Sequence, residues 1–210
     1  VRAKKKLLKD VAYEIIKEKI IKGDDEYISE NLLVEELQMS RTPIRAALQQ
    51  LQNEGIIKIL PNQGIMISTP SAKETNDIFD FRLAIETFSL KQAVHLLTQH
   101  DFDLLSENIE NQIAAVNNNE PYLFIQYDME FHLHLLRVVG NELFIQGVEN
   151  VIDRLHRVSR RIKNNKERLF VLIQEHIKII ELLKAKDIDQ AVIELENHLK
   201  GGKIEMFGGM

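Results

Sequence analysis

Residues 37–68 read LQMSRTPIRAALQQLQNEGIIKILPNQGIMIS, and their order decides the first part of the fold. Ile44, Ala47, Leu48 and Leu51 recur at i, i+3, i+4 and i+7, the apolar stripe of an amphipathic helix. The pattern predicts that helix over 42–54, with Thr42 as N-cap and Pro43 in the first helical position, where a missing N–H costs nothing. Gly55 is the expected stop. IIKIL and IMIST then flank Pro61-Asn62-Gln63-Gly64, the signature of a two-stranded hairpin. Upstream, Leu8, Val11, Ala12, Ile15, Ile16 and Ile20 set a helix over about 6–22 that ends at Gly23, and Ser29 opens a second over 30–38. Helix, helix-turn-helix and hairpin in this order make a winged helix-turn-helix, which implies binding to duplex DNA.

On the third helix Arg41, Arg45, Gln49 and Gln52 fall on a stripe separate from the apolar one. Arg bonds bidentately to guanine and Gln to adenine, while Thr42 and the first-turn N–H groups suit a phosphate. Gly64 has no side chain, so the wing tip can approach the DNA backbone or minor groove. Lys4, Lys5 and Lys6 add cations. A polar stripe alone also fits any solvated surface helix; the ordered set of elements favours DNA.

Thr69-Pro70 is the expected boundary between a DNA-binding domain, 1–69, and a second domain, 70–210. The second reads as helix almost throughout: 72–98, 102–117, 120–139, 142–163, 167–184 and 188–205. Ser71 with Glu74 forms a capping box, and Asp101, Asn141 and Asp187 are the expected N-caps. Six antiparallel helices with short loops make an all-α bundle, so the chain is mostly α, with the tail GGKIEMFGGM peripheral. The net charge of −5 divides into +1 for residues 1–70 and −6 for the rest, so the acidic surplus lies outside the DNA-reading segment. With no Cys, disulfides and thiolate metal sites are excluded. No apolar run reaches the ~18 residues of a membrane span. The basic N-terminus lacks the apolar stretch of a signal peptide, and the expectation is a cytoplasmic protein with no membrane partner.

All seven His lie between positions 95 and 198, so histidine chemistry belongs to the bundle. In YDMEFHLHLL, Asp128 and His132 stand at i, i+4 and share a helix face, while His134 points elsewhere. His176 and His198 each lie 11 residues from Asp187, at the turn between the last two helices. In an antiparallel hairpin equal distances from the turn bring both rings to one level, roughly 16 Å from the loop. Three His and a carboxylate suit Zn²⁺, Ni²⁺ or Mn²⁺. On spacing alone, satisfied core or surface histidines remain an equal alternative.

SRTPIRAALQQLQNEGIIKILPNQG resembles the GntR family of bacterial transcription regulators, whose signature is S-R-x-P-[VI]-R-x-A-L-x-x-L-x-x-E-G; Ser40, Arg41, Pro43, Ile44, Arg45, Ala47, Leu48, Leu51, Glu54, Gly55 and Gly64 match. The resemblance implies that Arg41 and Arg45 contact bases or nearby phosphates, helped by Thr42 and Gly64. Asn31 departs from those members that carry a DNA-contacting Arg at the start of the second helix. Residues 78–199 are similar to the FCD effector domain of the FadR-type members: R-x-x-x-E (Arg82, Glu86), D-x-x-x-H with a following G-N (Asp128, His132, Gly140, Asn141), E-H (Glu175, His176), and A with H seven residues on (Ala191, His198). In metal-binding members the four Asp and His positions hold one divalent ion, and the six-helix count resembles the VanR-like subgroup.

The expectation is therefore a homodimeric regulator, repressor or activator, of double-stranded operator DNA. Its affinity would be set by a small carboxylate metabolite bound at one divalent ion per chain, Zn²⁺ ahead of Ni²⁺ and Mn²⁺. The ion would be held by Asp128, His132, His176 and His198, with Arg82 clamping the effector and Arg41, Thr42, Arg45, Gln49 and Gly64 on DNA. For Arg82 an intrahelical pair with Glu86 is the plain alternative. The run Arg154, Arg157, Arg160 and Arg161 reads as mostly solvated. A metal-dependent enzyme, or a direct metal sensor using the same Asp/His site, is the competing expectation; no residue is assigned a catalytic role.

Overall fold

The computed structural model describes residues 7–23, 25–61, 63–158 and 166–207. In chain order the elements are α1 (Leu8–Lys22), β1 (Tyr27–Ile28), α2 (Glu30–Leu37), α3 (Arg41–Asn53), β2 (Ile57–Leu60), β3 (Gly64–Ile67), α4 (Ala72–Ala93), α5 (Gln99–Asn117), α6 (Pro121–Val139), α7 (Glu142–Val158), α8 (Lys166–Lys184) and α9 (Ile188–Phe207). The backbone divides into two compact units between Thr69 and Pro70.

In the first unit Ala12, Ile16 and Ile20 of α1 pack with Ile44, Ala47, Leu48 and Leu51 of α3, all buried in one apolar cluster. The two hairpin strands pair antiparallel in the register Ile57↔Ile67 to Leu60↔Gly64. A third strand, β1, was absent from the expected pattern. Its two residues are too few to show alternation, yet it pairs with β3 through Tyr27↔Met66 and Ile28↔Ile65, giving the order β1-β3-β2. Gly55 ends α3 with φ +72°, its N–H and that of Ile56 bonding back to Gln52 and Leu51. Glu54 accepts from Tyr13 Oη at 2.7 Å and from Gln50 Nε2 at 3.1 Å, tying α1 to the end of α3. Burial, reinforced by that bond to a carboxylate, pushes the Tyr13 hydroxyl up to about 12.

Two helix starts differ from expectation. The N-cap of α3 is Ser40, and Thr42 and Pro43 are the second and third helical residues. Every N–H of a first turn lacks an intrahelical acceptor, so Pro is tolerated there as well as in the first position. The N-cap of α5 is Thr98, and Asp101 is its reciprocal partner in a capping box. Helix α4 stops at Ala93, and a turn through Val94–Leu97 frees Thr98 for that cap.

Among the described residues the second unit holds six helices, as expected. One apolar cluster joins α4, α5, α6, α8 and α9; another joins α4, α6 and α7. Helix α6 supplies both, with Phe124, Phe131 and Leu135 in the first and Met129, Leu133 and Leu136 in the second. Asp128 and His132 lie between those sets. Ser71–Glu74 forms the expected capping box, and Asn141 Oδ1 accepts from the N–H of Leu143 at 3.1 Å. Gly140 closes α6 at φ +73°. Asp187 Oδ1 accepts from the N–H of Gln190 at 3.3 Å. Lys4, Lys5, Lys6, Asn62, Arg160, Arg161 and the last three tail residues, like the side chain of Arg157, lie outside what is described.

Candidate functional site

The bundle interior collects Asp128 and His132 from α6, His176 from α8 and His198 from α9. One donor atom from each lies within 4.8 Å of the other three, and all four residues are buried. The i, i+4 spacing on α6 and the equal distances from Asp187 on α8 and α9 both act as the sequence implied. His132 Nε2 and His176 Nε2 each stand 3.1 Å from His198 Nε2, and His176 Nε2 stands 3.6 Å from Asp128 Oδ1.

Each imidazole has its other nitrogen turned outward to an acceptor. His198 Nδ1 lies 2.8 Å from Glu175 Oε2, and His176 Nδ1 lies 3.1 Å from Gln112 Oε1. His132 Nδ1 lies 2.8 Å from Glu86 Oε2. Phe131 stacks on the His176 ring, centroids 4.1 Å apart. Outward Nδ1–H groups leave the Nε2 lone pairs facing one another. Lone pairs 3.1 Å apart repel unless a proton or a cation sits between them. Two nitrogens bound to one ion at 2.0–2.1 Å stand about 2.9–3.4 Å apart at octahedral to tetrahedral angles. Donor chemistry and spacing thus fit a first-row divalent ion.

Arg82 lies inside the bundle and donates from Nε to Glu86 Oε1 at 2.6 Å. The intrahelical pair is therefore present, but buried, and the same carboxylate carries His132. Burial would raise the Glu86 carboxyl; the charges of Arg82 and His132 outweigh it and bring it to about 2. His132 is pushed down by burial against the pull of Glu86. His176 is pushed well down by burial and then by the charges of His198, His132 and Arg82. Burial also raises Glu175, but His198 and Arg168 turn the balance downward. His134 stands apart, 3.2 Å from Asp101.

Two of the outer acceptors leave a signal in the sequence, though it does not name their partners. Glu86 and Gln112 sit on apolar stripes, with Ile78, Phe79 and Leu90 on α4 and with Leu105, Ile109 and Val116 on α5. A polar residue at such a position must find a partner inside.

In the first unit Arg41, Thr42, Arg45, Gln49 and Gly64 are exposed. Gly64 takes φ +102° beside β1, a conformation that L side chains seldom adopt. Two residues at the start of α2 hold the arginines. Glu30 accepts from Arg45 Nε through both oxygens, at 2.9 and 3.0 Å, and Asn31 Oδ1 accepts from Arg41 Nη2 at 3.2 Å. Asn31 thus bonds directly to the first residue of α3. Gln49 turns to Asn53 at 3.2 Å.

Residues 8–67 match the family described as bacterial regulatory proteins, gntR family, and residues 77–201 match the FCD domain. The chain is 28% identical over 186 residues to the gluconate operon transcriptional repressor of Bacillus subtilis, covering 84% of this chain and 75% of that protein. The solved structure of E. coli McbR/YncC shares the fold, with a TM-score of 0.86 at 20% identity over 97% of this chain and 99% of that one. The metal-free FCD domain of TM0439 aligns with a TM-score of 0.56 at 24% identity, over 68% of this chain and 97% of that one.

Proposed function

This chain belongs to the FCD-domain regulators of the bacterial gntR family, DNA-binding proteins and not enzymes, and from that premise we propose a repressor whose operator affinity is set by a small carboxylate held at a divalent ion. The observation that carries the reading is one nitrogen from each of three imidazoles and one carboxylate oxygen within 4.8 Å of one another, each imidazole with an acceptor beside its outward nitrogen. Outer acceptors of this kind orient the rings and raise their basicity as ligands. Asp128, His132, His176 and His198 would hold the ion, and Zn²⁺ suits three imidazoles and a carboxylate best. When bound, such an ion supplies a Lewis-acidic partner for a carboxylate oxygen. Arg82, fixed by Glu86 beside the histidines, brings the one buried guanidinium among the described residues to the site. Its Nη1 is not committed to Glu86 and can receive the far end of an organic acid. Gluconate, named for the Bacillus subtilis relative, belongs to this ligand class.

On DNA, Arg45 and Arg41 would read base edges from α3, with Thr42 and the N-terminal N–H groups of α3 on phosphate, Gln49 on a further base and Gly64 at the wing. A homodimer would place two such helices on a palindromic site. Among the described residues no helix is long and apolar enough to cross a membrane.

The test is a duplex selected from a random pool by the Zn²⁺-loaded protein, followed by fluorescence anisotropy with gluconate, citrate and acetate added in turn. At least one acid is expected to weaken DNA binding in the loaded protein, and none after chelation. An equal response with and without the ion would remove the ion from the regulatory path.

A further inference from the structure

Gln112 is fully buried on α5, and both ends of its amide are used. Its Nε2 donates to Asn108 Oδ1 at 2.7 Å, and its Oε1 faces His176 Nδ1 at 3.1 Å. Asn108 in turn donates from Nδ2 to the backbone carbonyl of Tyr127 at 3.0 Å. Tyr127 immediately precedes Asp128 on α6.

The directions in this chain are dictated from one end. A backbone carbonyl can only accept, so Asn108 must present its NH₂ to Tyr127 and its oxygen to Gln112. Gln112 must then give its NH₂ to Asn108 and its oxygen to His176. An oxygen at that place requires His176 to carry its proton on Nδ1, which leaves Nε2 bare and facing His198. Glu86 and Glu175, the partners of the other two rings, are carboxylates that accept in either orientation and need no such relay. Gln112 has a wrong way round, in which its NH₂ would face His176 and favour the opposite tautomer. Asn108 removes that possibility, and Phe131 closes one face of the ring against tilting.

We propose that Gln112 is a positioning residue whose amide, oriented by Asn108, holds His176 as the Nδ1–H tautomer and delivers its Nε2 lone pair to the histidine cluster. The inference rests on the cluster being a metal centre, but its first readout does not. The same relay ties the His176 ring on α8 to the backbone beside Asp128 on α6, so α5 sets the spacing of two ligands while contributing none.

The experiment uses the full chain labelled with ¹⁵N at histidine, stripped of metal, and held above the ordinary histidine titration range. Ring nitrogen shifts then report the tautomer of His176, assigned with His176→Ala. Wild type is expected as Nδ1–H, and Gln112→Leu as a mixture or Nε2–H. Zn²⁺ affinity by chelator competition should fall about 10–100-fold in Gln112→Leu, the usual effect of losing an outer partner, and less in Asn108→Ala. Asn108 is only partly buried, so Asn108→Ala decides the matter should Gln112→Leu fail to fold. A wild-type His176 that is Nε2–H, or variants keeping both tautomer and affinity, would overturn the inference. A wild type that is Nδ1–H yet binds none of Zn²⁺, Ni²⁺ or Mn²⁺ would instead overturn the metal reading and leave the relay standing.

Discussion

The two units keep their polar working groups under opposite conditions. In the winged unit Arg45 and Glu30 meet near the surface, with side chains 64% and 27% exposed. In the bundle Arg82 and Glu86 make the same kind of pair with side chains 3% and 4% exposed. Water competes for the first pair and solvates either partner if the other is lost. The second pair is shut off from bulk solvent, so each group depends on the other being there. The exposed face of α3 can therefore change residue by residue at small cost to the fold, whereas the bundle cluster must be kept whole.

Removing one carboxylate from each pair is the sharpest way to break that contrast. Glu86→Ala should destabilise the bundle by about 3–5 kcal/mol, because it leaves Arg82 buried without its counter-charge and His132 without an outer partner. Glu30→Ala should lower stability by less than about 1 kcal/mol. Urea unfolding of both variants, followed separately for each unit, measures the difference. Equal costs would mean that burial is not what separates the two regions.

Arg45→Ala should weaken binding to a selected duplex by about 1–3 kcal/mol and relax sequence preference at one position, with unfolding unchanged within ~0.5 kcal/mol. Anisotropy on the selected and a scrambled duplex checks it. Loss of binding to both in equal proportion would make Arg45 a phosphate contact only.

Acid should act on the bundle first. Burial holds His132 and His176 below the ordinary histidine value of 6.5, so the unfolded chain takes up protons before the folded one. Stability of the metal-stripped bundle is thus full above about pH 6.5 and declines as the pH falls below it. A pH series of thermal melts reads this, and a bundle as stable in mild acid as at neutrality would contradict it.

How much was legible in the sequence follows the same division. The α3 stripe and the hairpin could be read because periodicity is a property of spacing; for the cluster, spacing paired Asp128 with His132 and His176 with His198, and only the FCD resemblance joined the two pairs at one ion. The start of α3 was misplaced by two residues because Ser40 and Thr42 are both good caps and only chain geometry chooses between them. Thr98 was hidden by Asp101 for a similar reason: either end of a capping box resembles a cap. Strand β1 is too short for alternation and exists because β3 offers it an edge. The roles of Glu86, Glu175 and Gln112 stayed hidden because a polar residue on an apolar stripe announces a partner without naming it, and those partners lie 46, 23 and 64 residues away.

The most direct measurement is native mass spectrometry of the purified full chain beside a His132→Ala/His176→Ala variant. Wild type is expected as a dimer carrying one divalent ion per chain, and the variant is expected to carry none. A folded wild type that takes up no ion after incubation with Zn²⁺, Ni²⁺ or Mn²⁺ would contradict that expectation.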